Sequence, residues 1–230
     1  MIASNYAVYD GGSNRFRGSN CSKRSSRSSR DPFSDGLNDW NDLNDLNANE
    51  VSPMNCDSSR IVHTIGHSTR TIEAFLALLK THAIELLADV RRWPASRRYP
   101  HFHREALSNS LRDADVAYIW RGDLGGFRKP APDSVNTGWR VGAFRAYADF
   151  MLTAEFHSIM AEMEKLAEEK RIALMCAEAV PWRCHRQLLA DSFFVRGWSV
   201  RHIMDDGCHE HKLPPFAQPE GTRIFYRELL

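Results

Sequence analysis

From Arg60 to Ile203 short strand-like runs alternate with longer runs of helical period, and this alternation limits the fold more than any other feature of the chain. The strand-like runs are 60–65, 84–90, 116–120, 171–176 and 198–203. Between them, Ile72, Phe75, Leu76 and Leu79 recur at the spacing of one helix face. Ala106, Leu107 and Leu111 mark a weaker helix, and Phe144, Tyr147 and Met151 another. Phe156, Ile159, Met160, Met163 and Leu166 define an amphipathic helix whose wet face carries Glu162, Lys165 and Glu169. Leu188, Leu189 and Phe193 follow in a helix expected from about Cys184, with Gly197 as its stop. Thr69 or Thr71 is the expected N-cap of the first helix. Strands separated by helices need crossover connections, which make neighbouring strands parallel. The expected fold is therefore α/β, a Rossmann-like three-layer domain over residues 60–230 with a mostly parallel sheet of about five strands. A further edge strand is expected at 223–226. Strand order does not follow from the pattern. Residues 121–138, rich in Gly and Pro, read as a long loop.

The first 59 residues have a different character. Six basic side chains stand against Asp10 alone in residues 1–30, and seven acidic ones with no Lys or Arg in 31–59. Neither segment has the apolar period needed to bury a face, so 1–59 is expected to be a disordered low-complexity tail. Met54 stands just before the first core-like residue and is an alternative start. No apolar segment follows Met1, so no signal peptide is expected. No run approaches the roughly 18 apolar residues of a membrane span. Five cysteines with no short paired spacing suit a reducing, cytoplasmic setting better than a disulfide framework. The formal net charge of +1 gives no whole-molecule attraction to polyanions.

Ligands of open parallel sheets bind outside the carboxyl ends of the strands. That rule selects Gly66-His67-Ser68 after the first strand, Asp89-Val90-Arg91-Arg92 after the second and Cys176-Ala177-Glu178 after the fourth. Cys184 is expected at a helix N-terminus between Arg183 and Arg186, a setting that favours a thiolate. Cys184, or alternatively Cys176, is thus the candidate nucleophile or redox thiol. Glu178 and His185 are acid–base candidates, with His67 and Asp89 completing the catalytic set. Asp89 is expected to orient His67 or a basic partner. Arg91 and Arg186 are expected to hold an anion; Gly66, Ser68, Arg92, Gly125 and Gly126 are the other ligand-binding candidates. A phosphatase loop does not fit, because six residues rather than five separate Cys176 from Arg183. Metal binding stays open. Cys176 and Cys184 lack zinc-knuckle spacing, while Cys208, His209 and His211, or His101 and His103, lie close in sequence. No cofactor is named by any motif: Walker, dinucleotide-binding, nucleophile-elbow and HExxH patterns are all missing. Arg91, Arg92, Arg97 and Arg98 interleave with Trp93, Tyr99, His101 and Phe102, a composition suited to stacking on bases.

Six short motifs occur in order: Ile65-Gly66-His67-Ser68, Asp89-Val90-Arg91 with Pro94 and Ser96, Leu124-Gly125-Gly126, Cys176-Ala177-Glu178, Cys184-His185-Arg186 and His202-Ile203. Together they make residues 60–205 resemble the domain-of-unknown-function family 488. The resemblance implies an α/β domain of cytosolic prokaryotic type and a weak association with DNA repair. It implies no activity and no residue roles. The expected function is a thiol-dependent enzyme of hydrolase or transferase type, acting on a nucleotide, a nucleic-acid component or another phosphate-bearing ligand. The alternatives are a non-catalytic nucleic-acid-binding or DNA-repair accessory protein and a metal or iron–sulfur protein. A small-molecule or nucleotide ligand is the expected partner, nucleic acid is a further one, and no membrane is expected.

Overall fold

The computed structural model describes residues 60–228, so the tail expected over 1–59 and the alternative start at Met54 lie outside the described residues. The elements are β1 (Ile61–Gly66), α1 (Ile72–Thr81), β2 (Leu86–Asp89), α2 (Arg104–Arg112), β3 (Ala117–Trp120), α3 (Gly142–Met151) and α4 (Ala154–Glu169), followed by β4 (Ile172–Cys176), α5 (Arg186–Val195), β5 (Ser199–Met204), β6 (Gly207–Glu210), β7 (Ala217–Glu220) and β8 (Arg223–Tyr226). Single 3₁₀ turns occupy Pro100–Phe102, Gly122–Leu124 and Pro181–Arg183. The fold is mixed α/β, with a six-stranded, mostly parallel central sheet and five helices.

The sheet order is β3-β2-β4-β1-β5-β6. The first five strands are parallel, and β6 returns antiparallel on β5. The chain moves from β1 across a vacant position to β2, outward to β3, and back to fill that position with β4. All five β4 residues are buried, which is why its run is apolar without alternation. Both helices that lead outward, α1 and α2, pack Phe75, Leu79, Leu107 and Leu111 on the face carrying Ile65, Leu87, Ala173 and Met175. Helix α5 packs on β1, β4 and β5 and is joined by α3, which also contacts α4. Its Arg186 reaches Thr64, whose side chain leaves β1 opposite to that of Ile65, so α5 covers the other face and the domain has three layers. Burying a side chain such as Leu79 or Met163 fully contributes about 1.5–3 kcal/mol each, and both are 0% exposed.

Local signals act as their chemistry dictates. Thr71 caps α1, its hydroxyl accepting from the Ala74 amide at 3.3 Å. Gly197 follows α5 at φ +85°, the left-handed conformation that ends a helix most easily at glycine. Two features differ from expectation. The sheet gains β6, whose four residues are all exposed and therefore carry no apolar pattern. Strand β8 does not join the main sheet but pairs with β7, because Tyr226 docks it against α5. No helix among the described residues is long and apolar enough to cross a membrane.

Candidate active site

Because β2, β4 and β1 are neighbours, the three strand ends selected above meet at one rim. Pairing continues past the strands. The His67 and Ser68 amides donate to the Cys176 and Ala177 carbonyls, each at 2.9 Å, and the Val90 amide donates to Met175 at 2.9 Å. Ser68 turns the chain away at φ +49°. Gly66 is required by close approach: a Cβ there meets the Glu178 carbonyl oxygen at 1.8 Å and the Arg186 guanidinium at 2.9 Å.

After β4 the chain runs through the Pro181–Arg183 turn, which the Cys184 amide closes on the Pro181 carbonyl at 2.9 Å. Cys184 precedes α5 by two residues instead of opening it, and His185 takes the cap position. His185 Nε2 lies 3.1 Å from the Val90 carbonyl oxygen. A carbonyl only accepts, so Nε2 carries the hydrogen. Nδ1 then faces two sulfurs, 3.7 Å from Cys184 Sγ and 4.0 Å from Cys176 Sγ. Both cysteines are buried, at 8% exposure for Cys176 and 4% for Cys184. Their titration is pulled apart. Burial pushes the Cys184 thiol up, but the Cys176 hydrogen bond, His185 and the Arg186 charge together bring it well below the ordinary thiol range. The Cys176 thiol is pushed up by donating to Cys184 and by burial. The pair therefore favours one thiolate, on Cys184, solvated by a neighbouring S–H.

Arg186, only 1% exposed, stands beside this thiolate. Its guanidinium donates to the Glu178 and Ala179 carbonyls and, at 3.4 Å, to Thr64 Oγ1. From Thr64 a buried relay crosses the sheet. Thr64 Oγ1 lies 2.7 Å from His202 Nδ1, His202 Nε2 lies 3.0 Å from His211 Nδ1, and His211 Nε2 lies 2.8 Å from Asp191 Oδ1. Tyr226 donates to Asp191 Oδ2 at 2.6 Å. Arg186 at one end of the relay is a pure donor, and Asp191 at the other lies within hydrogen-bond reach of both His211 and Tyr226. His202 stays neutral within it, held at a pKa of about 3 by burial, His211 and Arg186.

The other expected site residues fall into place around this centre. Asp89 partners Arg91, not His67: Oδ1 accepts from the Arg91 amide at 3.1 Å and Nε at 2.8 Å, and Oδ2 from the guanidinium at 2.6 Å. Tyr118 adds a bond at 2.9 Å. Arg91 is thereby engaged by a buried carboxylate rather than presented to solvent. His67 stacks on Phe102 at 4.3 Å, donates Nδ1–H to the Ser68 carbonyl, and is held at a pKa of about 4 by burial and by Arg91. Glu178 has an exposed side chain, while its carbonyl holds Arg186. Gly126 lies over the site, its absent Cβ 3.4 Å from His185 Nδ1, and Gly125 packs against the Arg92 backbone at 2.7 Å. Arg92 itself is exposed.

Several residues of the site were not selected from the sequence. Tyr147, buried against the His185 ring at 5.2 Å, donates to the Leu124 carbonyl at 2.8 Å and fixes the glycine loop. Thr64 and Asp191 were likewise unselected; they complete the relay with His202, quoted above only as a motif residue, and His211, considered only as a metal ligand. The available signal was polar side chains inside otherwise apolar strands, as in Ile61–Gly66 and Ser199–Met204. Of the histidine clusters suggested by proximity in sequence, His101 and His103 bind the Arg70 and Ser96 carbonyls. His209 binds Asp206, and His211 belongs to the relay, so neither set converges. Cys176, Cys184 and His185 do converge, with their ligand atoms all within 4.8 Å of one another.

The family model described as "Domain of unknown function DUF488" matches residues 71–193. The match takes in Asp89, Arg91, the glycine loop and the whole segment from Cys176 to Arg186, and leaves Gly66-His67-Ser68 just outside. No curated protein and no solved structure matches the chain.

Proposed function

This chain belongs to the DUF488 family, and we propose that it is a thiol-dependent enzyme of hydrolase or transferase type with Cys184 as its nucleophile. The observation that carries the reading is the orientation of His185. Its Nε2–H is committed to Val90, so its Nδ1 serves the two sulfurs, its hydrogen-bond partners among the described residues. A thiolate beside an imidazolium is the ground state of cysteine–histidine nucleophilic sites. In the first step the Cys184 sulfur bonds to the electrophilic centre and the leaving group departs with the His185 Nδ1 proton. In the second, water or an acceptor hydroxyl loses its proton to Nδ1, bonds to the same centre and releases the thiolate. Arg186 sustains the negative sulfur in both. Glu178, with its exposed carboxylate, is the second acid–base group at the mouth.

The ligand class rests on a cleft beside the glycine loop, where Gly125 packs on Arg92. Arg92, Trp93 and Trp120 help to line this cleft of about 510 Å³. Trp93 is 63% exposed and contacts Phe127, itself 76% exposed. Exposed aromatic faces beside an exposed arginine suit a base with a phosphate attached. The substrate is accordingly a nucleotide, a nucleic-acid component or a related phosphate-bearing compound. The free thiols of Cys176, Cys184 and Cys208 suit a reducing, cytoplasmic setting for this reaction. The test is alkylation of the full chain across pH, with and without a panel of nucleoside mono- and diphosphates. Preferential labelling of Cys184 below the ordinary thiol range, with protection by one of the nucleotides, supports the reading. Labelling of Cys184 no faster than exposed Cys208 overturns the nucleophile. Rapid labelling without protection overturns the ligand class.

One observation favours a second reading. The same three ligand atoms are close enough to share a metal ion. In that case both buried sulfurs resist alkylation until a chelator is added, and the purified protein carries metal that is lost in Cys184→Ser.

A further inference from the structure

We infer that His63, His82 and Cys208 form a separate site for a zinc-type divalent cation, at the end of α1 remote from the strand-end rim. His63 comes from β1, His82 closes α1 and Cys208 sits on the edge strand β6. One ring nitrogen from each histidine and the Cys208 sulfur lie within 4.8 Å of one another. Zinc bonds of about 2.0–2.3 Å in tetrahedral geometry put ligand atoms roughly 3.5 Å apart, so small side-chain rotations close the set. Two imidazoles and a thiolate are the donor types that zinc prefers.

A second observation comes from His63 itself. It is 6% exposed, its ring meets the Ile172 carbonyl, and its Nδ1 makes no well-formed hydrogen bond among the described residues. Burying an imidazole with an unpaired nitrogen is costly, and metal ligation is one of the few uses that explains it. The His63 and His82 rings are 5.9 Å apart and inclined at 42°, a geometry in which both can turn toward one ion. His82 stands at the C-cap of α1, where the helix end favours a cation. Arg171 and Arg201 also lie near His63, and the Cys208 thiolate offsets one of these charges when the ion binds. Cys208 is exposed and His82 half-buried, which leaves the fourth coordination position to water. The ion clasps α1 and β1 to β6, an edge strand with no buried residue of its own.

The test uses the full chain, reduced and stripped of metal, titrated with zinc and with cobalt(II) as a spectroscopic substitute. The expected result is one equivalent of tightly bound ion whose thiolate-to-cobalt absorption disappears in Cys208→Ser and weakens at least tenfold in affinity in His82→Gln. The same absorption persists in the Cys176→Ser/Cys184→Ser double variant. Cys208 is exposed, so its serine variant is expected to fold, and circular dichroism checks this. Absence of stoichiometric binding overturns the inference. So does a cobalt spectrum unchanged by Cys208→Ser, or one abolished by loss of Cys184 alone, which assigns the ion to the other cluster.

Discussion

His185 reaches from the cap of α5 to the carbonyl of Val90 at the end of β2, 3.1 Å away and 95 positions earlier in the chain. That bond gives Nε2 its hydrogen and leaves Nδ1, the nitrogen that exchanges a proton, facing Cys184. A backbone carbonyl in this position orients the imidazole without adding negative charge beside Cys184.

Removing the ring tests this arrangement directly. His185→Ala is expected to raise the Cys184 thiol pKa, since the imidazole is among the groups that bring it down. Each unit of increase lowers the thiolate fraction near neutral pH about tenfold. Iodoacetamide rates across pH measure it. An unchanged titration curve for Cys184 refutes a functional dyad.

The Asp89–Arg91 pair is buried on both sides, with side-chain exposures of 0% and 6%. Asp89→Asn leaves a buried guanidinium without its counter-charge, which costs about 3–5 kcal/mol. Tyr118→Phe removes a single hydrogen bond to the same carboxylate and costs only about 0.5–1.5 kcal/mol. Urea denaturation of both variants is expected to give this order, and equal losses contradict the assignment.

Gly66→Ala places a methyl group 1.8 Å from the Glu178 carbonyl oxygen, which belongs to the backbone and cannot swing aside. The destabilisation is expected to reach or exceed the roughly 1–3 kcal/mol of ordinary overpacking. Arg186 is displaced with it, so Cys184 loses reactivity as well. Gly142→Ala is the control, because its added Cβ meets nothing within 4 Å at the start of α3. That change is expected to be neutral, or stabilising by up to about 1 kcal/mol. Thermal melts that fail to separate the two variants count against the close-approach argument.

In the metal-free chain three buried histidines set the acid side of the stability profile. His63 and His67 are held at about 4 and His202 at about 3 in the folded chain, in each case chiefly by burial. Unfolded, each takes up a proton near its ordinary value of about 6.5. Between these limits the unfolded state binds more protons, so stability rises with pH. It is full above about 6.5 and is lost as the pH falls toward 4, by up to about 1.4 kcal/mol per pH unit for each histidine. Denaturation midpoints measured from pH 7 to pH 4 check it. A midpoint flat across that range refutes the depressed values.

Much of this architecture was legible in advance because it depends on local period. The runs that became β1, β2, β3, β4 and β5 were visible as short apolar stretches, and α1 and α4 as faces repeating every three or four residues. The apolar run ending in Cys176 read correctly as a central strand, since only a strand covered on both faces dispenses with alternation. Strand β6 was invisible for the converse reason: Gly207–Glu210 buries nothing. The strand-end rule also selected Cys176, Asp89 and His67, which the fold brings to one rim.

What the sequence determined alone was thus most of the elements and the strand ends that carry Gly66, Asp89 and Cys176, because both follow from interactions within a few residues. Strand order belonged to the tertiary structure. Inserting β4 between β2 and β1 is what sets Cys176 beside both Val90 and His67. Tertiary structure also decided the pairings: Arg91 given to Asp89, His185 to Val90, and Thr64 joined to His202 across 138 positions. Such bonds form between groups that meet only after helices dock and strands assemble. Each buried polar group then takes whichever partner the packed interior offers, and no local spacing encodes that choice.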